Sequence, residues 1–496
     1  MRDRLKQLTT GVAIYGAGDA AIQIVNFALL AVYVKGGFLT SVDYGALALI
    51  GALEAFAKVF SRLGLDGAFM RYFHDRGDGL PTLASTIVWF LLVVNVVVFG
   101  VASAAAGWIG SALFDDQRYV PALRLMLLNT FAIAFTFIPF HSMRMKNQAA
   151  TYSAFAFARS VGTLILRIAF VIGAGWGLTG IYLADLVVTA IIVPLMWPWF
   201  RPYIRAAFSG AELRTALRFG LPRVPHGLAQ QALDGGNKLL LGSHVPQAQL
   251  GIYQNATTLG TGVKFFTSAF ETAWAPFYYA TARGPEAKDV FRKMTTYAIA
   301  VLALLVAGTT AIAPDVVLVM LTPDYIEATP VLPIVAIGMA FQGVYLLTSI
   351  GLNLTSRTEF YPVSTFAAAA VGLSSGPWLM SRYGVFGAAI ALLLSYVTQA
   401  AVAFVFSQRL YPIAYEWGRL ARVIVAAVAA AVVARWGLPE MAPMMGLLVR
   451  GTATVAIFVG LLWISGFLRA SEREFLVRTI RGYRGRQPQR AGAPRA

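Results

Sequence analysis

Residues 223–238 read Arg223-Val224-Pro225-His226-Gly227-Leu228-Ala229-Gln230-Gln231-Ala232-Leu233-Asp234-Gly235-Gly236-Asn237-Lys238. Chain spacing calls for a membrane-crossing helix here, yet His226, Gln230, Asp234 and Lys238 recur every four residues, the interval that keeps side chains on one helix face. A charge in hydrocarbon costs ~2.5–3.5 kcal/mol even on the most lenient insertion scale, so this stripe must face protein or water. The stretch therefore reads as one wall of a polar cavity inside a membrane protein.

The rest of the chain agrees. Of 496 residues 58% are hydrophobic and only 13% charged, mean hydropathy is +0.67, and a soluble domain carries roughly 25% charged residues. The absence of cysteine excludes disulfides and thiolate metal sites, and four scattered histidines (His74, His141, His226, His244) give no basis for a metal centre. No Gly-Lys-Ser or Gly-Lys-Thr occurs, so a phosphate-cradling ATPase loop is missing and a gradient or a partner must supply energy. No cofactor and no catalytic residue are expected.

Apolar stretches of about twenty residues, enough to cross ~30 Å of hydrocarbon, begin near Thr10, Val42, Thr82, Val120, Ala149 and Leu178, then near Phe219, Leu250, Met294, Ala328, Phe360 and Val385, and finally near Leu420 and Met444. This predicts an all-α polytopic membrane protein with 14 transmembrane helices. The first span, with Asp19, Gln23 and Asn26, is expected to be a retained helix, not a cleaved signal. Between the spans, Lys and Arg divide 26 to 4 in favour of the side holding the termini, which predicts both termini in the cytoplasm. The net charge of +17 is thereby topological, and no nucleic-acid partner is expected.

Corresponding starts in the first two series lie a nearly constant 209 residues apart, as do Tyr44 and Tyr253, Arg62 and Glu271, Tyr152 and Tyr361, and Phe157 and Phe366. Two parallel six-helix repeats follow, with a working cavity between them. The expected organisation is a bundle over 1–200, a cytoplasmic linker over 201–218, a second bundle over 219–409, helices 13 and 14 over 410–468, and a basic cytoplasmic tail over 469–496. The tail reads either as a short amphipathic helix on anionic lipid or as a solvated basic segment.

Polar stripes mark the cavity. The first helix carries Tyr15, Asp19, Gln23 and Asn26, the second Glu54, Lys58 and Arg62, the fifth Arg159, Thr163 and Arg167, the sixth Asp185, and the eighth Thr257, Thr261, Lys264, Ser268 and Glu271. Helices nine to twelve hold no charge well inside the hydrocarbon, and Arg422 and Arg450 of the last two can reach the interface. The span charges are eight cations, counting Arg124, Arg223 and Lys238, against five anions, Asp234 included, a net +3. Such a pocket suits a strongly anionic head group, phosphate above all. The substrate-binding set is therefore Lys58, Arg159, Lys264, Arg62, Arg167, Arg223 and Lys238. Arg62, Arg124, Arg223 and Lys238, near span ends, have an alternative role in reaching the interface, and Lys58 one in pairing with Glu54. The acids Asp19, Glu54, Asp185, Asp234 and Glu271 serve ion coupling or ion pairing, and His226 reads as a hydrogen-bonded residue near a helix start.

Three local patterns carry a resemblance. The second helix reads Asp43-Tyr44-Gly45-Ala46-Leu47-Ala48 and ends Leu63-Gly64-Leu65-Asp66-Gly67-Ala68-Phe69-Met70-Arg71-Tyr72. The seventh opens Gly220-Leu221-Pro222-Arg223-Val224-Pro225 and ends Asn237-Lys238-Leu239-Leu240-Leu241-Gly242, and the eighth begins Leu250-Gly251-Ile252-Tyr253. With fourteen spans over nearly the whole chain, these resemble the polysaccharide transporter branch (O-antigen and exopolysaccharide flippases) of the multidrug/oligosaccharidyl-lipid/polysaccharide flippase superfamily. The resemblance implies a V-shaped pair of bundles, a location in the cell inner membrane, a polyprenyl-diphosphate-linked oligosaccharide as substrate, and glycan polymerases and glycosyltransferases as partners. Where the family often has an acid followed by a base, this chain has Asn237 and Lys238. The competing functions are a lipid-linked peptidoglycan-precursor flippase, a cation-coupled multidrug exporter, which needs an acidic pocket, and a membrane glycan polymerase or ligase, which needs a larger outer loop.

Overall fold

The computed structural model describes residues 27–146, 148–282 and 284–467. The stripe Tyr15 to Asn26, with Asp19, and the tail from residue 468 lie outside the described residues, as does the side chain of Asp234. Among the described residues there is no strand. Ten helices are long and apolar enough to cross a membrane, which makes this a multi-pass membrane protein.

The spans fall where hydropathy puts them, and their agreement with fourteen is instructive in its exceptions. Phe360–Leu410 runs as one 51-residue helix broken at Gly384, whose φ of 53° and ψ of −128° suit only glycine. It therefore contains the two spans predicted from Phe360 and Val385. The seventh and eighth predicted spans are helical but more polar than the rest: Val224–Gln231 and Asn237–Gly242 form one, Gln247–Gly260 and Gly262–Thr281 the other, while Gly210–Gly220 falls mostly within the expected linker.

The chain divides into two compact units, residues 1–284 with 313–412, and residues 285–312 with 413–496. In the first unit, Leu80–Ala104 shows how lipid-facing helices are written: Val93, Val97 and Val101, four residues apart, are exposed, whereas Leu83, Ile87 and Leu91 are buried in a core that also takes Phe69 and Phe137.

Three motif glycines of this unit have a steric reason. A Cβ on Gly45 would run into the carbonyl of Gln247, and one on Gly251 into the carbonyl of Ser41, so Ser41–Arg62 and Gln247–Gly260 cross backbone to backbone. At the other end of Ser41–Arg62, Gly64 (φ 70°) leaves no room for a side chain against the backbone of Gly220. The crossing is locked by Gln247, which donates to the Val42 carbonyl (2.9 Å) and accepts from the Asp115 amide (3.0 Å). Asp43 closes a capping box with Thr40 and accepts from Tyr119 (2.7 Å) and Arg118 (3.0 Å). A cap alone is worth ~1 kcal/mol. Asp43→Ala, which also orphans Tyr119, is therefore expected to cost about 1–3 kcal/mol, visible as a lower thermal midpoint in detergent.

The pairing of Ser41–Arg62 with the segment from Gly220 to Gly242 corrects the reading of the opening stretch. Gly220 meets Gly64, Gly227 meets Val59, Gly235 meets Ala52 and Gly242 meets Leu49. These glycines step seven, eight and seven residues along the chain, where two turns of a packed helix need about seven. The extra residue is absorbed by a π-helical turn over Ala232–Gly236. Regular α-helical spacing is interrupted there, between His226 and Lys238.

In the second unit, Val423, Ala426, Ala430 and Phe458 form a core with Ala300 and Ala307. Arg419 is buried there. It pairs with Glu416 at 2.9 Å, and its guanidinium lies 5.4 Å from the Tyr297 ring and 4.4 Å from the Phe467 ring. Arg450, expected to reach the interface, is instead buried and donates to the Pro439 carbonyl at 3.3 Å. In the first unit, Asp315 near the end of Ala287–Met320 is also buried.

Candidate functional site

The first unit encloses polar space along the inner face of Ser41–Arg62. A cavity of about 890 Å³ lies toward its Arg62 end, lined by Lys58, Arg62, Asp66, Arg71, His141, Arg223 and His226 among others. A second, of about 580 Å³, is lined by Glu54, Lys58, Asn129, Arg159, Thr163, Arg167 and Asp185. The third, of about 390 Å³, takes Glu54, Arg167 and Asp185 again, with Tyr33, Tyr182, Lys238, Gln254 and Thr258. Lys58 is common to the first and second, and Glu54, Arg167 and Asp185 to the second and third.

Side chains reach this space because of their register. Glu54, Lys58 and Arg62 follow one another up Ser41–Arg62, and the i,i+4 spacing closes a Lys58–Glu54 ion pair at 2.6 Å. Lys58 remains 47% exposed in that pair, so it is held by a bond that solvent weakens. Arg167 makes a bidentate contact with Asp185, Nε to Oδ1 at 3.0 Å and Nη2 to Oδ2 at 2.8 Å. This is the planar, paired recognition that guanidinium favours, and it joins Ala149–Arg167 to Gly177–Leu195.

The other cations are placed differently. Among the described residues Arg62, Arg159 and Arg223 have no ion-pair partner within 4.0 Å, and the Nε of Arg62 is buried without a hydrogen bond. Arg62 lies within electrostatic range of Asp66 and, more weakly, of Arg159. Arg223 extends over Gly67, where a Cβ would collide with its Nη1, and stacks 5.4 Å from the Phe219 ring. The motif glycine Gly67 thus makes room for a guanidinium. Lys264 and Glu271 line none of these three cavities.

Two lining residues went unweighted in the sequence. His141 was passed over as one of four scattered histidines, and no spacing joins it to Arg62. Asn129, inside an apolar span, lines the second cavity while accepting from Thr189 at 2.7 Å.

Comparison with known proteins follows from this geometry. Residues 37–330 match the model of a family described as polysaccharide biosynthesis protein. The chain belongs to that family. The matched segment of this polysaccharide biosynthesis protein holds every cavity-lining charge named above. No curated protein sequence matches the chain. Among solved structures, the fold is similar to that of the lipid II flippase MurJ in an inward closed conformation, with a TM-score of 0.69 at 11% identity over 91% of this chain and 98% of that one. It is also similar to an inward-facing multidrug resistance MATE family transporter of the MOP superfamily, with a TM-score of 0.62 at 15% identity over 81% and 95% of the two chains. A MATE protein in a straight conformation gives 0.58 at 16% identity over 84% and 96%. The chain therefore shares the fold of these solved transporters.

Proposed function

We propose that this protein moves a polyprenyl-diphosphate-linked oligosaccharide from the cytoplasmic to the outer leaflet of the inner membrane by alternating access. The observation that carries the reading is the set of guanidinium groups, Arg62, Arg159 and Arg223, that line joined cavities without a carboxylate partner among the described residues. A diphosphate would supply the missing anion, and a hydrated, charge-compensated path is what hydrocarbon lacks. Family membership favours a glycan as the remainder of the head group. In this reading Lys58 joins the diphosphate when it leaves Glu54, and Lys238 contacts the head group from the third cavity. Arg167 holds the wall through Asp185. Both termini face the cytoplasm, and the product passes to a glycan polymerase supplied by glycosyltransferases.

The likeness to a lipid II flippase makes a peptidoglycan precursor the second substrate to consider. Deleting the gene separates the two. Our reading predicts loss of surface polysaccharide with the diphosphate-linked oligosaccharide retained in the inner leaflet and growth maintained. Arrest of cell-wall synthesis would select the second substrate, and unchanged polysaccharide would reject the first.

A further inference from the structure

Side chains that line the 890 Å³ cavity carry polar atoms left without partners in its wall. Among the described residues, both ring nitrogens of His141, the Nδ1 of His226 and the Nε of Arg62 are buried without a hydrogen-bond partner. Each orphaned buried polar group costs ~1–3 kcal/mol, so four around one space call for an explanation. These groups come from three separate elements, Ser41–Arg62, Phe137–Met145 and Val224–Gln231, and converge on one cavity. His141 lies within electrostatic range of Asp66, Arg144 and Arg62, and His226 within that of Arg223, so the one carboxylate among these groups, Asp66, is outnumbered by guanidiniums. Gly67 and Phe219 fix the Arg223 guanidinium at the rim.

From this we infer that Arg62, Arg223, His141 and His226 form an oxyanion site of their own at the mouth of the path, built for the diphosphate class and separate from the Arg159 position farther in. The inference rests on the transport reading for its substrate, and the geometry gives it two stations. Two forked guanidiniums match the oxygens of a diphosphate, and a neutral imidazole offers one N–H donor whichever tautomer it holds. Lys58 is the one residue that lines both the mouth cavity and the Arg159 cavity. With only Glu54 to hold it and half of its side chain exposed, it is placed to follow the oxyanion from the first station to the second.

The test is binding, kept apart from export. Full-length protein in lipid nanodiscs is titrated with inorganic diphosphate and, in a second arm, with polyprenyl diphosphate in the same bilayer. The double variant His141→Ala/His226→Ala and the single variant Arg223→Gln are each expected to weaken diphosphate binding at least tenfold. The variant His141→Asn/His226→Asn, which keeps donors, recovers most of it. Arg422→Gln, whose side chain lines none of the three cavities, leaves binding within threefold. All variants are first checked for a single symmetric species and an unchanged thermal midpoint, and Arg223→Gln, exposed at the rim, guards against misfolding of the histidine pair. Tighter binding of the bilayer-borne ligand identifies a lipid carrier as the source, and equal binding identifies a soluble one. Wild-type binding by both the histidine and the Arg223 variants overturns the mouth site, whatever export shows. Mouth-site binding without any export defect on gene deletion instead overturns the transport reading and leaves the site standing.

Discussion

Gly251→Ala is expected to abolish the folded protein, leaving no monodisperse species in detergent. The added Cβ lands on the carbonyl oxygen of Ser41, next to the backbone nitrogen of Gly45. Overpacking a core usually costs about 1–3 kcal/mol, and most of that relief comes from side chains that shift. Here the obstacle is backbone on a helix whose opposite glycine already meets the Gln247 carbonyl. Neither helix can retreat without breaking the hydrogen bonds of Gln247 to Val42 and Asp115. The cost therefore reaches the top of that range, about 3 kcal/mol or more, out of a total stability of ~5–15 kcal/mol. Gly100→Ala is the control. Nothing lies within 4 Å of its Cβ position, and alanine is the better helix former by ~1 kcal/mol, so its thermal midpoint should hold or rise. A well-folded Gly251→Ala variant would mean that the two helices do not cross as described.

Arg159→Gln is expected to fold normally and to lower polysaccharide export at least tenfold in a strain lacking the native gene. Folding is spared because the side chain, partly exposed to the cavity, has no ion-pair partner among the described residues to abandon. Export suffers because removing one partner of a desolvated charge contact costs ~2–5 kcal/mol, and each 1.4 kcal/mol is a factor of ten in affinity. Arg159→Lys keeps the charge but loses the fork, and should fall between the two. The measurement is surface polysaccharide per cell at matched protein level. Normal export by Arg159→Gln would remove the residue from the substrate path.

The legibility of these features differs for physical reasons. Span positions were plain because hydrocarbon thickness sets a length that hydropathy registers directly, and Phe360–Leu410 holds two of them as two helices that meet at the kink at Gly384. The Lys58–Glu54 pair was legible from its i,i+4 spacing. Arg167 and Asp185, eighteen residues apart on different helices, could be named as charges but not joined. The π-helical turn over Ala232–Gly236, inside the stripe from His226 to Lys238, was not legible from periodicity, which assumes an unbroken α-helix. A sign of it was present: glycines at 220, 227, 235 and 242 step by seven, eight and seven. The motif glycines Gly45, Gly64, Gly67 and Gly251 were visible as a family resemblance, but their reason lies in what faces them, which only three dimensions supply. Lys264, mid-span by sequence, lines none of the three cavities, because depth along a helix says nothing about direction around it.

The central claim is that the joined cationic cavities carry a diphosphate head group across the bilayer. Its most direct test reconstitutes the purified protein in liposomes with a polyprenyl-diphosphate-linked oligosaccharide in the inner leaflet and measures the head group's arrival outside with a membrane-impermeant lectin or glycosidase. The account predicts protein-dependent translocation that Arg159→Gln reduces at least tenfold. Translocation no faster than in protein-free liposomes, or equal rates for the two proteins, would contradict it.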